Sequence, residues 1–130
     1  MMGKRSSFAS NSTAPPVGPY SPGVEAGRFI FLSGQIPLLP DGALVEGDIQ
    51  AQVKQSLENL KGLLEQIGLE MKAVVKTTIF LTDMADFQAV NEIYAHYFSA
   101  PFPARSTVAV LALPKGANVE IEAIALREEG

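Results

Sequence analysis

Ala73-Val-Val-Lys-Thr-Thr-Ile-Phe-Leu81 is a run of β-branched and aromatic residues without Gly or Pro, and it reads as a strand. Its two alternating sets, Val75/Ile79/Leu81 and Val74/Phe80, are both apolar, so each face of this strand carries residues unsuited to water. Helical patterns flank it. Upstream, Asp48 is placed to cap a helix with apolar positions 49, 53, 57, 60, 63, 64 and 67 on one stripe. Gly68 follows where a left-handed residue closes a helix. Downstream, Thr82 or Asp83 opens a second helix to about Ser99, with Phe87, Val90, Tyr94, Tyr97 and Phe98 inward.

Three further strands complete the pattern. Phe29 to Ser33 ends at Gly34 and Pro37, and runs 105–111 and 119–126 are joined at Pro114-Lys-Gly116. The order is strand, helix, strand, helix, strand, strand. Each strand–helix–strand unit crosses over with the same right hand, so both helices fall on one face of an α+β mixed sheet. The other face is left bare and apolar. A monomer of that kind exposes more apolar area than is usual, so a homo-oligomer that buries the second face is expected.

The 130 residues suffice for one domain with a single core. At 47% hydrophobic and 18% charged, the chain is not of the disordered class, and no apolar run reaches the length of a membrane span. Net charge is −4 with scattered basic residues, which argues against a nucleic-acid partner. No Cys is present, and His96 is the single His, so thiolate chemistry and a His cluster for metal are excluded and no cofactor is expected. Residues 1–14 are small and polar, with a composition like the start of a transit peptide but no apolar segment. They are read as a flexible tail ahead of a domain over 15–130, in a cytoplasmic protein.

Charge inside the apolar strands marks the candidate site. Arg105 lies in Phe102-Pro-Ala-Arg-Ser-Thr-Val108, and Glu120 and Glu122 interrupt Val119-Glu-Ile-Glu-Ala-Ile-Ala-Leu126. Ions on apolar strands are costly unless paired or used. Two readings follow: a structural ion pair across neighbouring strands, or a site that grips an anion and moves a proton. Arg105 has the planar fork for a carboxylate, and Thr107 shares its face. Glu120 and Glu122 share a face, so alternation does not decide which acts; the other is assigned a structural contact, a buried pair or an interface hydrogen bond. Asn91 sits within the second helix's apolar stripe, as a structural hydrogen-bonder or a ligand contact, and His96 lies outside that stripe. Tyr20 on a Pro- and Gly-stiffened loop, and Ser33-Gly34 at a strand end, are further candidates for ligand contact.

Five segments together resemble the RidA (reactive intermediate deaminase A) group of the YjgF family. They are Ala14-Pro-Pro-Val-Gly-Pro-Tyr-Ser-Pro-Gly23, Leu32-Ser-Gly-Gln-Ile-Pro37, Val75-Lys-Thr-Thr78, Phe102-Pro-Ala-Arg-Ser106 and Val119-Glu-Ile-Glu-Ala-Ile-Ala125. They occur in the family's order and spacing from about residue 14 to 127. The resemblance implies a chorismate-mutase-like fold and a homotrimer with three sites in the clefts between subunits. It implies hydrolysis of 2-imino acids, such as 2-iminobutanoate and 2-iminopropanoate, to 2-keto acids and ammonia.

By the same resemblance, Arg105 holds the substrate carboxylate and Glu120 positions the attacking water. Tyr20, Ser33, Gly34, Asn91 and Thr107 match the other pocket positions, Thr107 through its backbone amide. Two positions depart from the family pattern. Thr107 stands where Cys is frequent, which removes a thiol from the mechanism, and Leu111 is bulkier than the usual small residue, which bears on pocket shape. The alternatives to a deaminase are a non-enzymatic ligand-binding or chaperone-like trimer, and a ribonuclease or translation inhibitor. A single His and a net negative chain count against the last.

Overall fold

The computed structural model describes residues 4–128. Eight main elements follow in order: β1 (Arg5–Phe8), β2 (Gly23–Ala26), β3 (Phe29–Gln35), α1 (Ile49–Gln66), β4 (Val74–Leu81), α2 (Phe87–Tyr94), β5 (Ala104–Ala109) and β6 (Val119–Leu126). The strands form one sheet in the order β1-β2-β3-β6-β4-β5, with β4 and β5 parallel and every other pair antiparallel. No helix among the described residues is long and apolar enough to cross a membrane.

Helix α1 forms where its caps and stripe predict. Asp48 Oδ1 accepts from the Ala51 amide at 3.0 Å. At the other end Gly68 takes φ +77°, and the amides of Gly68 and Leu69 bond back to Glu65 and Leu64, a Schellman arrangement. Val53, Leu57, Leu60, Leu63 and Leu64 are fully buried against Ile30 and Leu32 of β3 and Val119 and Ile121 of β6. Helix α2 is shorter than its apolar pattern predicts. A 3-10 turn at Met84–Asp86 precedes it, and regular helix ends at Tyr94, before Pro101 and Pro103 force extended chain. Val90, Tyr94 and Phe98 still enter the core.

Both helices lie on one face, as the crossover argument requires. Register fixes what occupies it: Thr77 pairs with Ala123, and Ile79 with Ile121, all buried. The opposite set pairs Thr78 with Glu122, Phe80 with Glu120, and Phe31 with Ile124. A bulge between Val74 and Lys76 breaks the alternation assumed from sequence, so Val74, Ile79 and Leu81 all face the helices while Val75 is exposed. The uncovered face therefore mixes Phe29 (49% exposed), Phe31 (44%) and Val108 (41%) with Lys76, Thr78, Glu120 and Glu122.

The N-terminal region differs from the sequence expectation. A flexible tail over 1–14 placed no strand there, whereas Arg5–Phe8 pairs with β2 as the outermost strand. The Phe8 ring fills the space over Gly23, where any β-carbon would overlap it. Thr13 is buried, its hydroxyl donating to Ser10 O at 3.2 Å.

Removing the Asp48 cap tests the helix account. Asp48→Ala should cost about 1 kcal/mol of unfolding free energy, read as a lower urea midpoint at unchanged slope. An unchanged midpoint would mean the α1 terminus is held by packing alone.

Candidate active site

The predicted site residues fall into two groups on opposite faces of the sheet. The first group sits on the uncovered side. A bulge in β3 between Leu32 and Gln35 contains Ser33 and Gly34, across from β6. Ser33 Oγ donates to Ser21 O at 2.6 Å, and the Ser33 amide donates to Pro22 O at 2.9 Å, so the bulge pins the loop that carries Tyr20. The absence of a side chain at Gly34 leaves room for the Glu120 carboxylate, which a β-carbon there would displace. Tyr20, Gly34, Gln35, Lys115 and Glu120 line a cleft of about 230 Å³ to which the 14–17 segment also contributes.

Burial raises the Glu120 carboxyl above its ordinary value, and the neighbouring Glu122 charge raises it further. Glu122 itself is exposed, so it makes no buried pair within the chain, and it borders a separate cleft of about 340 Å³ with Lys76 and Thr78. The sequence reading missed Lys115. It holds φ +58°, uncommon for a residue with a side chain, and its Nζ donates to Gly42 O at 3.1 Å. Pro114-Lys-Gly116 marked only a turn.

The second group is on the helix side, between β5 and α2. Arg105 Nη2 donates to Asn91 Oδ1 at 2.7 Å. Its Cζ lies 4.9 Å from the Tyr94 ring centroid and 5.4 Å from that of Phe87. Phe87 and Tyr94 were read as core residues, yet the spacing 87, 91, 94 that places Asn91 between them is what assembles this cradle. Thr107 shares the Arg105 face, and its Oγ1 is buried without a hydrogen-bond partner among the described residues. Leu111 lies beyond the end of β5 and is fully exposed, so it does not continue the Arg105 row. His96 is exposed.

One expectation is corrected. Arg105 and the two glutamates do not occupy neighbouring strands, because β4 lies between β5 and β6. Thr77 pairs with Arg105 on the helix side, whereas Phe80 pairs with Glu120 on the other, so a single chain does not bring guanidinium and carboxylate together. Among the described residues no group of three or more His, Cys, Asp or Glu is arranged to hold a metal ion.

Residues 11–127 match the sequence profile of the endoribonuclease L-PSP family. The chain belongs to that family. It is 46% identical over 123 residues to a 2-iminobutanoate/2-iminopropanoate deaminase of Salmonella typhimurium, covering 92% of this chain and 96% of that protein. YyfA of Yersinia pestis, of the Rid protein family, superposes with TM-score 0.91 at 47% identity, over 95% of this chain and 99% of YyfA. TdcF of Escherichia coli, solved with bound serine, superposes with TM-score 0.90 at 40% identity, over 95% and 99% of the two chains. The RidA/YjgF resemblance drawn from the five sequence segments is thus that of the whole chain.

The Glu120 environment predicts a pH dependence of stability. A carboxyl titrating above its ordinary value binds its proton more tightly folded than unfolded, so deprotonation destabilises the fold. That cost is absent below about pH 4 and grows as pH rises through the folded value. Glu120→Gln should therefore raise the melting temperature at pH 7, with the gain closing on acidification to pH 4. A gain that widens at low pH would contradict the assignment.

Proposed function

We propose that this L-PSP-family protein is a deaminase that hydrolyses small 2-imino acids, 2-iminobutanoate and 2-iminopropanoate, to 2-keto acids and ammonia. The observation that carries the reading is Arg105. Asn91 takes one of its N–H groups and two aromatic rings flank it, leaving the rest of a planar fork for a carboxylate. The name of the Salmonella relative, at 46% identity over nearly the full chain, supports the same substrate class. The bound serine of TdcF shows that a fold this similar accommodates a small amino acid.

The site is completed by a neighbouring copy in a homotrimer. The split of Arg105 and Glu120 between two faces supports this, as do the phenylalanines left exposed on the uncovered face. Arg105 of one subunit holds the substrate carboxylate. Glu120 of the next orients a water toward the C2 carbon of the protonated imine. The C–O bond forms as a water proton passes to the Glu120 carboxylate, giving a carbinolamine. The proton then moves to nitrogen; as the C–N bond breaks, the Glu120 carboxylate takes the hydroxyl proton, and ammonia leaves a 2-keto acid. A carboxyl with a raised proton affinity is suited to that exchange. Tyr20, Ser33, Gly34 and Asn91 border the substrate, and Thr107 offers its backbone amide and an unpaired hydroxyl. No cofactor enters the scheme.

The nuclease of the family's description is the weaker reading for this chain. Its one imidazole, His96, is exposed, and its net charge of −4 disfavours a phosphate backbone.

Imine decay, with substrate generated in place by threonine dehydratase, tests the reading. Arg105→Lys replaces the fork by a point charge and should lower kcat/KM by roughly one to two orders of magnitude. Glu120→Gln should lower kcat by roughly 10²–10⁴-fold. Decay by the wild-type protein no faster than the uncatalysed rate would refute the proposal, and wild-type turnover by Arg105→Lys would make Arg105 structural only.

A further inference from the structure

Val75-Lys-Thr-Thr78 is one of the segments that carry the family resemblance, yet none of its residues has a part in the chemistry above. Thr77 is fully buried on the helix side of β4 and lies beside Arg105 in the β4/β5 register. Its Oγ1 and the Tyr94 hydroxyl share a 2.7 Å hydrogen bond. Tyr94 is 6% exposed, and its ring packs on Phe98 with centroids 4.5 Å apart, while Arg105 Cζ lies 4.9 Å from that same ring. Three side chains from β4, α2 and β5 thus form one chain of contact that ends at the guanidinium.

The chemistry of the pair exceeds what packing requires. Val and Phe would fill nearly the same space without burying a hydroxyl, and a buried hydroxyl costs stability unless it is partnered. Here each hydroxyl satisfies the other. The bond also removes a freedom. A guanidinium held by Asn91 alone can rotate about that hydrogen bond, and the faces of Phe87 and, closer, Tyr94 limit the rotation. The Tyr94 face is fixed only if the ring cannot tilt, and a tether at its far end prevents tilting.

We infer that Thr77 and Tyr94 are positioning residues for Arg105: their buried hydrogen bond fixes the aromatic face that sets which edge of the guanidinium is offered to a ligand carboxylate. The ligand's identity rests on the imino-acid reading above, whereas the ordering of Arg105 is a property of the chain without substrate.

The test compares Thr77→Val and Tyr94→Phe, which cut the bond from either end, with Thr77→Ser, which keeps the hydroxyl. Each is made alone and with Arg105→Lys. In folded Thr77→Val and Tyr94→Phe, kcat/KM for 2-iminobutanoate should fall roughly 3- to 10-fold, mainly through KM, with Thr77→Ser close to wild type. In the Arg105→Lys background the additional loss should shrink to about twofold or less, because the residues act through Arg105. Nitrogen relaxation of the Arg105 Nε–H group, measured without substrate, should show lower order in Thr77→Val and Tyr94→Phe only. If those two variants lose thermal stability while Arg105 order and KM stay at wild-type values, the pair is structural and the inference is wrong. Losses that multiply undiminished with Arg105→Lys overturn it as well. A wild-type protein that hydrolyses no imine refutes the proposed activity, and the relaxation comparison then decides the positioning role by itself.

Discussion

Strand β6 lies between β3 and β4, antiparallel to both, and its register with β4 sorts every important side chain to one side of the sheet or the other. Opposite Thr77 it places Ala123, and both are buried beneath the helix layer. One residue away it places Glu122 opposite Thr78, and Glu120 opposite Phe80, facing away from the helices. A slip of one residue would drive both carboxylates into the core and Ile121 and Ala123 out of it, at a cost no pairing in this sheet would offset. The register is therefore strongly specified, and with it the fact that the acidic and basic halves of the site face opposite ways. A single chain therefore holds Arg105 and Glu120 on opposite sides of its sheet.

Each half is organised by a local departure from regular structure. The bulge at Ser33-Gly34 brings backbone against the Glu120 carboxylate and anchors the Tyr20 loop through Ser21 and Pro22. On the other side, Arg105 is held by the hydrogen bond it donates to Asn91 of α2 and by two rings, Tyr94 in the core and Phe87 at the surface. The core and the cradle of the Arg105 guanidinium share Tyr94, so packing of the helix layer and orientation of the guanidinium are one problem. An ordered guanidinium fork of this kind needs neither a metal-binding cluster nor a thiol, and the described residues hold neither.

Much of the architecture was legible in the sequence because its signals are local. Asp48, the apolar stripe of α1 and Gly68 each report a neighbour within a turn or two, and the limits of α1 follow from them. The runs that became β3, β4 and β6 were read for the same reason. Strands β1 and β2 were not, since Arg5-Ser-Ser-Phe8 and Gly23-Val-Glu-Ala26 are four residues long and lack an alternating apolar set; pairing with distant chain, not propensity, makes them strands. Strand order was misjudged on similar grounds. Sequence neighbours β5 and β6 are not neighbours in space, because β6 pairs with β3 and β4. The residue types of the site, Arg105 and Glu120 above all, stood out as charge in apolar strands. Their separation did not, for it depends on the pleat and on β4 lying between them. The bulges escaped too, since a one-residue insertion leaves no mark in composition, and Val75 changed sides through one of them.

The central claim is that two half-sites on different chains make one catalytic site, and mixing subunits tests it most directly. Arg105→Ala and Glu120→Gln proteins, each deficient in imine hydrolysis alone, would be unfolded together and reassembled at equal ratio. Where every site draws Arg105 from one chain and Glu120 from its neighbour, about one quarter of the sites receive both residues intact, and activity should recover to about that share of wild type. Activity no higher than that of the two variants assayed separately, in a mixture shown to have exchanged subunits, would contradict the account.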